Sequence, residues 1–98
     1  MLKVTGIRDD GPDRRLFELH EEGSLASPES LARVVSFAMA LLLENGLTGA
    51  FRVHGDGLLA LDFHGDSRSS FHDGILFAAL DVYNDPVKNP TISGLPPV

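Results

Sequence analysis

The stretch from Ser27 to Gly46, S-P-E-S-L-A-R-V-V-S-F-A-M-A-L-L-L-E-N-G, constrains this chain more than any other. It predicts one long helix marked at both ends. Ser27 is a good N-cap, Pro28 suits the first helical position where its missing N–H costs nothing, and Glu29 puts negative charge in the first turn. Gly46 supplies the left-handed residue past the last turn. At about 100° per residue, Glu29, Arg33, Ser36, Ala40 and Glu44 share one narrow stripe, while Leu31, Ala32, Val34, Val35, Ala38, Met39, Leu41, Leu42 and Leu43 spread over roughly 200°. That arc is about twice what a surface helix needs to bury. Such a helix must be covered on two sides.

Strand patterns flank it. Leu2 to Arg8 and Arg14 to His20 read as short strands joined by D-D-G-P-D; a two-residue Asp10-Gly11 turn would ask Pro12 for a hydrogen bond it has no N–H to make, so a longer loop is expected. Glu21 to Ala26 reads as a polar connection. After the helix, A-F-R-V-H and L-L-A-L-D-F-H flank Gly55-Asp56-Gly57, the clearest hairpin in the chain. A three-residue loop with Gly57 left-handed pairs Val53 with Leu59 and Phe51 with Leu61. Phe51, Val53, Leu59, Leu61 and Phe63 should then be buried and Arg52, His54, Ala60, Asp62 and His64 face away, with Arg52 and Asp62 in an exposed ion pair.

A second helix is predicted from about Ser70 to Asn84, with Ser70 and Asp73 in capping-box-like spacing. Phe71, Ile75, Ala78, Ala79 and Val82 should form its buried face, extended by Leu76 and Tyr83. Phe77 shares the polar stripe of Asp73, Asp81 and Asn84 and so points the wrong way for a monomer. From Asp85-Pro86 onward the prolines cannot continue a helix, which divides the chain into one α+β domain at residues 1–85 and an extended Pro-rich tail at 86–98. Val87, Ile92 and Leu95 give that tail apolar groups that could cover the same helix faces.

The chain has 98 residues and a formal charge of −6. That balance disfavours nucleic-acid backbones, since no excess of cations exists to displace their counterions. Arg8, Arg14 and Arg15 sit beside Asp9, Asp10 and Asp13, which offset them. Without cysteine there is no disulfide, no thiolate metal site and no thiol nucleophile. The longest apolar run, Phe37 to Leu43, is far short of a membrane span, and Met1-Leu2-Lys3-Val4 opens into a strand pattern instead of a signal-peptide core. A cytoplasmic protein with no membrane role is the expectation.

The chemistry-bearing groups are His54-Gly55-Asp56, His64-Gly65-Asp66 and His72-Asp73, because imidazole and carboxylate are the ligands a cysteine-free metal site uses. His54 and His64 lie at opposite ends of the hairpin and cannot share an ion. His64, Asp66 and His72 remain as a candidate metal site where the hairpin ends and the second helix begins. The competing account is that Gly and Asp build turns here and the histidines are exposed. No nucleophile elbow, phosphate loop or dinucleotide fingerprint is present, so no catalytic residue and no cofactor are assigned.

The expected fold is α+β: a two-layer sandwich with an antiparallel sheet of four strands, or five with the tail, and two helices on one face, in the order ββαββα(β). If the tail pairs in the sheet, Arg14 to Ser93 resembles the strand-helix-strand-strand-helix-strand pattern of a ferredoxin-like sandwich, with the first strand added. A fold of that kind implies no function. The functional expectation is a small acidic, non-catalytic interaction module that binds a protein partner or small ligand as a homodimer, with Leu41, Phe37 and Phe77 at the interface. The rival is a small metal-assisted hydrolase using His64, Asp66 and His72.

Overall fold

The structure, a computed structural model, describes residues 1–65 and 70–87. Its elements are β1 (Leu2–Asp9), β2 (Arg14–Glu21), β3 (Ser24–Leu25), α1 (Pro28–Glu44), β4 (Ala50–Gly55), β5 (Leu58–Asp62) and α2 (Ser70–Asn84). The fold is α+β, an antiparallel sheet in the order β1-β2-β5-β4 carrying two helices, with β3 paired to β2. β5 runs antiparallel to both neighbours, so β2 and β4 are parallel and α1 connects them across the inserted β5. β1 occupies the other side of β2. The predicted tail strand, and the proposed helix start at Asp66 to Ser69, lie outside the described residues.

Capping sets the limits of α1. Ser27 Oγ accepts from the Ser30 N–H at 3.2 Å, and Asn45 ends the helix. Gly46, at φ +66°, lets its own N–H reach Leu43 O and the Leu47 N–H reach Leu42 O, which satisfies two carbonyls the helix leaves open. Leu31, Val34, Ala38 and Leu42 then face inward into one apolar cluster with Phe17, Leu19, Leu59, Leu61 and Phe63 of the β2 to β5 region.

The second hairpin keeps the expected register, Val53 with Leu59 and Phe51 with Leu61. Its turn is tighter: Gly55 pairs with Leu58, and a bulge between Val53 and Gly55 absorbs the extra residue. Ala60 faces away from the core cluster as expected yet is 0% exposed, because it sits on an inner strand with the longer Leu16 and Arg52 directly across on either side. Asp62 bonds Arg52 at 3.1 Å and also Arg14 at 3.0 Å. Burial alone would raise its pKa, but the hydrogen bonds from the two arginines outweigh this and hold it below the usual carboxylate value.

β3 was hidden in the supposed polar connection. Glu22 and Gly23 both take positive φ, 52° and 80°, which makes a two-residue hairpin turn, and glutamate is a poor signal for one. β3 meets the β4–β5 turn through Gly57, whose N–H bonds Ala26 O and whose carbonyl accepts from Leu19. A side chain at Gly57 would come within 2.6 Å of Leu25 Cδ2, so closeness and positive φ both require glycine there.

Three polar ties lock α2 onto the sheet. Arg15 Nη1 donates to both carboxylate oxygens of Asp73, at 2.9 and 2.8 Å, while its Nε donates to Asp9 at 2.8 Å. Those hydrogen bonds to Asp9 and then Asp73 raise the Arg15 pKa. The guanidinium also lies 5.5 Å from the Phe63 ring centre. At the other end Tyr83 Oη lies 2.7 Å from Glu21 Oε2 and 3.0 Å from Ser30 Oγ, and the Asn84 amide pairs with both backbone groups of Leu2. Asp73 thus serves as a partner for Arg15 in addition to opening the helix with negative charge.

α2 is rotated relative to its apolar pattern. His72, Ile75, Leu76, Ala79, Leu80 and Tyr83 are buried, whereas Phe71 and Ala78 are exposed. His72 Nε2 bonds Thr48 O at 2.9 Å and its ring meets Phe63 edge-on, so the histidine takes the inward place that Phe71 was expected to fill.

Leu61 is 0% exposed in the middle of the cluster, so Leu61→Ala should cost roughly 2–5 kcal/mol, measured as a lower denaturant midpoint. Burial is the main reason the Tyr83 pKa is raised, with the Glu21 carboxylate adding to it and Ser30 opposing it. A raised folded pKa means that this contribution is complete below the ordinary tyrosine value of about 10 and is lost as pH rises through the folded one. Since Tyr83 is the chain's one tyrosine, tyrosinate absorbance should appear only above that ordinary value, together with loss of helical circular dichroism, and at lower pH in Glu21→Gln.

Candidate functional site

Phe71, Gly74, Phe77 and Ala78 are spaced at i, i+3, i+6 and i+7 on α2, so Gly74 neighbours each of the other three on the helix surface. All four are exposed, with Phe71 at 73% and Phe77 at 46%. Beside them an open groove of about 510 Å³ runs between the start of α2 and the end of α1, lined by Asn45, Leu47, Phe71, Gly74 and Ile75. Helix rotation produces this surface: with His72 and Asp73 held from below, Phe71 is turned up and out.

Of the predicted interface residues, Phe77 stands on this patch, while Phe37 and Leu41 are half-buried against the core. α1 has spent most of its wide apolar arc on the sheet and α2. Leu43 is 83% exposed, but it lies about 200° around the helix from Leu41, on the flank away from the Phe37 and Leu41 side. Phe71 was missed as a surface residue because periodicity alone put it inside.

The predicted metal ligands are placed differently from one another. His72 is 1% exposed with Nε2 engaged by Thr48 O. His64 is exposed in a turn at φ +52°, and Asp66 lies outside the described residues. Among the described residues no three histidine or carboxylate groups converge to hold a metal ion.

Charge is divided between the two sides of the molecule. The helices carry Glu29, Glu44, Asp73 and Asp81 against Arg33. The outer sheet face carries Lys3, Arg8, Arg14 and Arg52 against Glu18 and Asp62, as strand alternation from the paired rows Arg8–Leu16–Ala60–Arg52 and Arg14–Asp62 places them. Comparison with protein families, with curated proteins and with solved structures finds no match to this chain. No described helix is long and apolar enough to cross a membrane.

Gly74 is an exposed helix-interior glycine with nothing within 4 Å of where a Cβ would stand. Gly74→Ala should therefore raise stability by about 0.5–1 kcal/mol, read from urea unfolding.

Proposed function

We propose that this chain is a small acidic, non-catalytic interaction module, cytoplasmic, that works as a homodimer joined through its helix layer. The observation that carries the reading is the contiguous apolar surface Phe71-Gly74-Phe77-Ala78 beside an open groove. Burying one phenylalanine side chain is worth about 1.5–3 kcal/mol, so two exposed on the same helix, with Gly74 between them, make a water-exposed state costly. A self-complementary contact suits them: each α2 offers both a protruding ring and a hollow over Gly74, as a two-fold interface needs.

Light scattering at tens of micromolar should give twice the chain mass. Phe77→Asp should reduce it to the chain mass with the circular dichroism unchanged, because Phe77 belongs to no core contact. A single-chain mass for the unaltered protein, or dissociation caused only by removing residues 88–98, would overturn the helix-layer dimer.

A further inference from the structure

β1 is an open edge, and the Asn84 side chain shows which of its backbone groups face outward: the amide accepts from Leu2 N–H at 2.9 Å and donates to Leu2 O at 3.0 Å, as a neighbouring strand would. Beyond Leu2 the outward backbone groups are those of Val4 and, after the bulge between Val4 and Gly6 reverses the alternation, of Ile7 and Asp9, and no strand adjoins them among the described residues. Its two faces differ. On the outer face stand Lys3 and Arg8, neither in a salt bridge among the described residues, and a groove of about 150 Å³ is lined by Gly6, Ile7, Arg8, Leu16, Glu18 and Leu58. On the inner face Ile7 lies opposite Phe17 yet is 47% exposed, and Val4 is half-buried.

We propose that this edge takes up an extended, alternately acidic and apolar segment of a partner protein as an added strand. Side chains on a strand alternate, so one face of such a segment would set carboxylates beside Lys3 and Arg8 while the other covers Ile7 and Val4. Lysine and a bulge at an edge are also devices against unwanted pairing, and here they act selectively. A second β1 would bring Lys3 and Arg8 against their own copies, a like-charge contact, whereas an acidic strand meets opposite charge. The net charge of −6 repels nucleic acid and anionic membranes as a whole, while a short peptide laid along this edge meets Lys3 and Arg8 at close range, with Glu18 the carboxylate in the same groove. The inference rests on the interaction-module reading but not on the dimer, since Lys3 and Arg8 lie on the opposite layer from Phe77.

The test is fluorescence anisotropy with a labelled Glu-Leu-Glu-Leu-Glu-Leu peptide at low salt. Binding is expected, weakened about tenfold or more by Arg8→Glu combined with Lys3→Glu, unchanged by Arg33→Glu, and abolished by N-methylation of alternate peptide nitrogens, which removes strand hydrogen bonds but no charge. Equal binding of a Lys-Leu peptide, full binding of the N-methylated peptide, or stronger binding to phosphatidylserine vesicles or oligothymidine would overturn it. Phe77→Asp protein separates the two proposals: a single-chain species that still binds the peptide keeps the edge site, and a dimer of Arg8→Glu, Lys3→Glu protein that binds as well as the unaltered one removes it.

Discussion

Everything in this molecule depends on burying one face of a sheet whose two inner strands, β2 and β5, are each paired on both sides. Leu59, Leu61 and Phe63 lie at 0% exposure beneath the helices, joined to Phe17 and Leu19 from β2 and to the inward stripe of α1. At roughly 25 cal/mol for each Å² of apolar surface removed from water, this cluster is the dominant favourable contribution to folding. It requires the helix between β2 and β4 to lie across the sheet, which leaves a long groove for α2 to fill. The width of the α1 apolar arc is explained by that geometry: its centre meets the sheet, and the side bearing Ser30 approaches α2.

Polar contacts decide how α2 fills the groove. Apolar packing is non-directional and would accept several rotations of a helix with so broad a greasy surface. Arg15 to Asp73, His72 to Thr48 and Tyr83 to Glu21 are directional, and they occur at both ends of the helix. Together they select one rotation. The selected rotation is the one that leaves Phe71 and Phe77 exposed.

The separation of charge follows from the same two-layer plan. A sheet with helices on one side presents its other face to solvent, and the alternation of strand residues gathers Lys3, Arg8, Arg14 and Arg52 there. Asp62 holds two of these in a row across three strands, which keeps that part of the face rigid. Lys3 and Arg8, nearer the open edge, form no salt bridge among the described residues, although Glu22 lies near Lys3 and Glu18 shares a groove with Arg8. An acidic protein thus carries two cations beside its open edge, and its exposed phenylalanines lie on the opposite layer.

By itself the sequence determined the elements whose signals are local. The α1 caps, the Val53–Leu59 and Phe51–Leu61 register, the long β1–β2 loop and the outward direction of Phe77 all depend on residues within a few positions of one another. The two-layer α+β class followed from the order of those elements. Tertiary structure decided what requires distant partners. β3 exists because Glu22 takes a left-handed conformation that goes with the pairing of β2 to Ser24 and Leu25 and with the contact of its carboxylate to the Met1 ammonium, 21 residues away. Ala60 is buried because its neighbours across the sheet are longer than it is. Phe71 and His72 exchange places because Arg15, Thr48 and Phe63, between nine and 58 residues from their partners along the chain, hold the first turn of α2. Hydrophobic periodicity measures how apolar a helix face is, and that cannot reveal which face a remote carbonyl and guanidinium will pull inward.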